Sequence, residues 1–96
     1  MAQIIVKSDK NKNIVNILKK SVEREKLLLK IAICQAQEEL SRFEKQYNME
    51  TNSFIRKFRQ GFLGDNPDFI EWSGEKEIFD RLKKQFSQMR EINFAY

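Results

Sequence analysis

Three carboxylates, Asp65, Asp68 and Glu71, crowd the stretch GFLGDNPDFIEW at residues 61–72, with two of the chain's three glycines, its only proline and its only tryptophan. Their i, i+3, i+6 spacing does not suit a calcium loop, which takes oxygen ligands at alternate positions, a glycine at the sixth and a glutamate at the twelfth. It suits the start of a helix, where acidic side chains complement the positive end of the dipole. GFLG is no phosphate loop, because Asp65 follows Gly64 where such a loop carries lysine and a hydroxyl residue. The chain has no histidine, which removes Ser-His, Cys-His and His-metal chemistry together. Cys34, the single cysteine, has no internal disulfide partner, and within the apolar run LLLKIAIC it reads as a small core hydrophobe. No catalytic set, metal site or cofactor is expected, and the protein is not expected to be an enzyme.

Positive charge is the other candidate for chemistry. Residues 1–30 carry eight Lys/Arg against three Asp/Glu, residues 31–60 five against four, and residues 61–96 five against seven. Lys7, Lys10, Lys12, Lys19 and Lys20 make the first third the candidate contact for nucleic acid or for an acidic protein surface; the plainer reading is a solvated helix face. Arg56, Lys57 and Arg59 bracket Phe58, a basic-aromatic mixture of the kind that binds nucleic acid, although Phe58 lies four residues from Phe54 and belongs on an apolar face.

The elements that position these groups follow from periodicity. Ninety-six residues, 41% hydrophobic and 33% charged, make one small domain, too apolar for a disordered chain. No apolar run approaches the ~18 residues of a spanning helix and no signal-peptide core is present, so no membrane contact and a cytoplasmic location are expected. QIIVKSD opens with a β-branched run that reads as one short strand, and residues 1–13 form strand and turn. A lone strand needs a neighbour, and with no other strand-like segment the expected neighbour is another chain. The same strand-then-helix order raises ribbon-helix-helix DNA binding, against which stands the absence of a turn between two short helices.

Residues 14–47 read as a long helix with apolar positions 15, 18, 22, 29, 33, 36, 40, 43 and 47, the later ones in coiled-coil rhythm. Lys26 interrupts that seam, a break at residues 21–26 is an alternative, and Leu27, Leu28 and Ile31 add a second apolar face. Leu28, Leu29, Ile31, Ile33 and Leu40 are the candidates for helix pairing with a partner. Asn48 suits the left-handed residue that closes a helix. A second helix spans 50–60, with Phe54, Ile55, Phe58 and Phe62 on one face and stop signals at Gly61 and Gly64. Asp65 or Asn66 caps a third helix over 66–91, with Pro67 in its first turn and apolar residues at 69, 72, 79, 82, 86 and 89. Phe54, Phe58, Phe69, Trp72 and Phe79 are the expected corner and core, with Ile70 in the same patch and tryptophan also suited to an interface rim. The expected fold is mainly all-α, a short strand, one long coiled-coil-like helix and two shorter helices forming a corner, as a dimer or hetero-complex.

Residues 43–82, FEKQYNMETNSFIRKFRQGFLGDNPDFIEWSGEKEIFDRL, resemble a family of short helical proteins of bacteria and archaea. Its pattern runs F-E-x-K-Y-G-M, S-S-E-E-F, then G-E-L-G-D-D-x-D-F-x-E-W. Phe43, Glu44, Tyr47, Met49, Phe54, Phe58, Gly61, Leu63, Gly64, Asp65, Asp68, Phe69, Glu71 and Trp72 fit it. Asn48 replaces a glycine, Phe62 a glutamate, and Glu50 the serine cap, so the second helix either begins at Thr51 or is less well capped. Met49 and Phe54 keep the spacing of a hydrophobic staple. The resemblance implies an antitoxin-like protein encoded beside a toxin, without an active site of its own. The expected function is therefore a non-enzymatic interaction module that masks a cognate toxin sterically, with self-association open. The alternative is a homodimeric DNA- or RNA-binding regulator that uses the basic first third.

Overall fold

Three helices carry the chain: α1 over Lys12–Tyr47, α2 over Thr51–Arg59 and α3 over Pro67–Arg90. The structure is a computed structural model that describes residues 3–5 and 12–95. It is an all-α protein. α1 is uninterrupted through residues 21–26, so Lys26 is accommodated at the edge of the seam, where its Nζ meets Glu23 Oε1 at 3.4 Å. At 1.5 Å per residue α1 runs ~54 Å and α3 ~36 Å, so α1 overhangs its neighbour. The radius of gyration is 19.1 Å and the extents are 61 × 21 × 17 Å, against ~13 Å for a compact domain of this size.

α3 folds back antiparallel on α1, pairing Phe43 with Trp72 near the corner and Lys30 with Phe86 further along. Two turns make this possible. Asn48, at φ 50°, closes α1, and the Met49 amide reaches back to the Glu44 carbonyl at 3.2 Å. Gly61, at φ 79°, closes α2 with amide bonds from Gly61 to Phe58 O and from Phe62 to Lys57 O, both 3.1 Å. These bonds satisfy carbonyls that a helix end otherwise leaves open. Asn66 then caps α3, its Oδ1 accepting from the Asp68 amide at 2.9 Å, with Pro67 where a missing N–H costs nothing.

The main core lies at the corner: Leu40, Phe43, Phe54, Ile55 and Trp72, with Tyr47, Met49, Phe58, Leu63, Phe69 and Phe79 packed against it. Phe62 falls outside this core and is 75% exposed, because the positive φ at Gly61 turns the chain outward and Leu63 packs inward in its place. Ile70 is also exposed, lying on the solvent side of α3 away from Phe69 and Trp72.

The described backbone also places Gln3–Ile5 (β1) parallel to Asn93–Ala95 (β2), with Ile4 opposite Phe94. The strand neighbour expected in another chain is thus the chain's own C-terminal segment, which has too short a pattern to read as a strand. An unbroken α1 of 36 residues does not match the pair of short helices of a ribbon-helix-helix protein.

Candidate functional site

Thr51 ties the corner together. It is the one buried polar residue among the described residues, and it accepts one hydrogen bond and donates another. Its hydroxyl accepts from Trp72 Nε1 at 3.1 Å, and its amide donates to Glu44 Oε2 at 2.8 Å. Glu50 occupies the N-cap position of α2 without a side-chain hydrogen bond, and the carboxylate of Glu44, in the last turn of α1, accepts from the first amide of α2 instead. Trp72 lies face to face on Phe54 with ring centroids 3.9 Å apart, and Phe43 and Tyr47 stack on it at 5.6 and 5.9 Å. Tryptophan is fully buried here and so is a core residue with a satisfied N–H, not an interface rim.

Two carboxylates of the opening motif, Asp68 and Glu71, make contacts that tie α3 to α1. Tyr47 donates its hydroxyl proton to Asp68, and Gln46 Nε2 approaches the same oxygen at 3.4 Å. That bond to a carboxylate, with partial desolvation, raises the Tyr47 pKa above its ordinary value. Glu71 lies 3.8 Å from Arg42, which also binds Glu39 at 2.9 Å and is held protonated above its usual range chiefly by that contact. Asp65 is exposed. Among the described residues no group of three or more His, Cys, Asp or Glu could hold a metal ion, and no helix is long and apolar enough to cross a membrane.

The proposed helix seam divides between two faces. Leu29 and Leu40 are buried toward α3 and Ile33 is half-buried, whereas Leu28 and Ile31 are about half exposed. With Leu27, 57% exposed, they form an apolar patch on the side of α1 away from α3. Ile14 and Ile17 continue the exposed apolar surface toward the N-terminus of the helix. Cys34 is exposed too, contrary to the core position expected of it. The run LLLKIAIC surrounds the helix completely, and the residues in step with Leu29, Ala36 and Leu40 are the ones buried against α3.

Beside Cys34 a groove of about 490 Å³ between α1 and α3 is lined by Lys30, Ile33, Lys83, Phe86, Ser87 and Arg90. Its cations lie over aromatic faces, Lys30 and Arg90 above Phe86 and Lys83 above Phe79, at 5.2–5.9 Å. Such contacts cover exposed ring edges with alkyl stems while the charge stays hydrated. Phe79 and Phe86 are half-buried for this reason.

Of the basic candidates, Lys7 and Lys10 lie outside the described residues. Lys12 and Lys20 are exposed on α1, and Lys19 is half-buried with a partner. Arg56, Lys57 and Arg59 face solvent from α2, but the groove that Arg56 and Arg59 line also carries Glu50, Glu77 and Asp80. That mixture of signs does not make a continuous track for a phosphate backbone. The residues that sequence reading missed are Thr51 and Lys30. The Thr51 contacts span 7 and 21 residues in sequence, and no local spacing rule reports them. No family model matches the chain, and neither does any curated protein or solved structure.

Proposed function

We propose that the protein is a non-enzymatic protein-interaction module that works by laying the outer face of α1 on a partner protein. The observation that carries this reading is the exposed patch of Leu27, Leu28 and Ile31, on a helix whose inner seam is already satisfied by α3. Single exposed aliphatic residues are ordinary, but three neighbouring ones on a helix that overhangs its own core are a contact surface in waiting. The resemblance of residues 43–82 to antitoxin-like proteins points to a toxin as that partner. Its inhibition would be steric, with α1 covering or distorting the partner's active site. Co-expression with the product of the adjacent gene tests this. The two proteins are expected to co-purify, and co-expression is expected to relieve growth arrest. Two proteins that neither associate nor alter each other's toxicity would refute it.

A second reading, a DNA- or RNA-binding regulator, rests on the five-charge excess of residues 1–30 and on exposed Lys12, Lys20 and Arg24. It is compatible with the first, since a partner held by Leu27, Leu28 and Ile31 leaves Lys12, about four turns nearer the start of α1, free for phosphate. Binding of that kind weakens steeply as salt rises, and a nucleic-acid titration that is absent or salt-independent would remove it.

A further inference from the structure

We infer that the outer face of α1 is complementary to itself and docks a second copy of this chain antiparallel, about a two-fold axis between residues 29 and 30. The inference rests on the reading of that face as a protein-docking surface and adds a second occupant, a copy of this chain that holds the face while the partner protein is absent. Six exposed positions, Ser21, Arg24, Leu28, Ile31, Gln35 and Glu38, recur with spacings of 3, 4, 3, 4 and 3 along the helix. That is the seam of a second coiled coil, separate from the inner seam that meets α3. Read in reverse on a second copy, the apolar pair meets at the centre and polar residues meet polar residues on either side. Leu28 meets Ile31 of the partner subunit twice over, forming an apolar centre flanked by Leu27. Arg24 meets Gln35 of the partner subunit, and Ser21 meets Glu38 of the partner subunit with Lys20 alongside.

Charge decides the direction. A parallel pairing would set Arg24 against its own copy and Glu38 against its own copy, a repulsion at each end. The antiparallel one brings Lys20 and Arg24 to the acidic end of the other helix, and the two-fold axis repeats the contact. Among the described residues no ion pair within the chain occupies Lys20, Arg24 or Glu38. These charges stay available to the second copy. The polar layers outside the Leu28–Ile31 centre fix its register, since a slip of one heptad would set Arg24 or Glu38 against Leu28.

The test is a distance. Ser21→Cys in a Cys34→Ser background, spin-labelled and measured by pulsed dipolar spectroscopy, reads the pairing directly. Antiparallel pairing offsets the two labels by 17 residues, or ~25 Å along the axis, whereas a parallel dimer holds them ~10 Å apart. A distance of roughly 25–30 Å supports the inference, and one near ~10 Å overturns it. A chain that sediments as a monomer at hundreds of micromolar also overturns it, even if it still binds the adjacent gene product. In that case the interaction reading stands and only the self-docking fails. Leu28→Lys with Ile31→Lys is expected to weaken the dimer by more than about tenfold with unchanged helical content. Lys20→Glu with Arg24→Glu is expected to weaken it at low salt, and adding Glu38→Lys is expected to restore it. If the restored variant is no tighter than the double one, the charge pairing is wrong.

Discussion

Replacing Glu44 by alanine removes the hydrogen bond that starts α2. The Glu44 carboxylate accepts from the Thr51 amide at 2.8 Å in a partly buried position, while Glu50 at the N-cap contributes no side-chain bond. A nine-residue helix does not hold itself together in water, so α2 depends on its caps and on Phe54 and Ile55 beneath it. Losing a cap costs about 0.5–2 kcal/mol, and a bond to a charged acceptor lies in the upper part of that range. The expected loss is therefore about 1–2 kcal/mol, which in a domain of this size lowers the melting temperature by roughly 4–15 °C. Urea unfolding followed by tryptophan fluorescence measures it. The only tryptophan, Trp72, lies 3.9 Å from the Phe54 ring of α2 and reports the departure of that helix. Glu44→Gln keeps an acceptor and should lose about half as much. Glu50→Ser added to Glu44→Ala restores a cap in the usual place and should recover about 1 kcal/mol. Glu77→Ala, on the exposed side of α3, is the control and should stay within about 0.5 kcal/mol. A Glu44→Ala shift no larger than the control's, or a Glu50→Ser that gives nothing back, would refute the assignment of Glu44 as the cap.

Other outcomes follow from the same corner. Trp72→Phe loses the bond to Thr51 Oγ1 and leaves a small cavity, and should cost about 2–3 kcal/mol in urea unfolding. Gly61→Ala meets no neighbour within 4 Å, so its cost is that of the positive φ alone, about 1–2 kcal/mol in thermal melting. Because the folded-state pKa of Tyr47 is raised, its contribution is fully present below about pH 10, the unfolded tyrosine value, and is lost as pH rises through the folded value. Alkaline melts above pH 10 should therefore steepen in the wild type relative to Tyr47→Phe.

The corner was legible in the sequence because its residues act locally. Asn48, Gly61, Asn66 and Pro67 each do one conformational job within a few positions, and their spacing marks the three helices to within two residues. The faces of α1 were less legible. Residues 27–34 are apolar nearly all round, so periodicity shows that Leu28, Leu29 and Ile31 are pairing candidates but not which of them α3 covers. Burial separates Leu29 and Leu40 from Leu28 and Ile31 and brings Cys34 to the surface. Helical spacing puts Phe62 on the apolar face of α2, but that spacing stops at Gly61 and Phe62 is exposed. The Glu44–Thr51 and Trp72–Thr51 bonds were out of reach for a different reason, since their donors and acceptors meet only after the chain has turned twice. β2 was invisible because three residues with no alternating pattern owe their pairing to a distant segment.

The measurement that bears most directly on the proposed function is co-purification of the adjacent gene's product with the wild type and with the Leu28→Lys, Ile31→Lys variant. Both residues are about half exposed and outside the core, so the variant should keep its helical content and melting temperature. The account predicts that the wild type retains the partner and relieves its toxicity, and that the variant does neither. A folded variant that binds and protects as well as the wild type would contradict it, and would move the interaction off the outer face of α1.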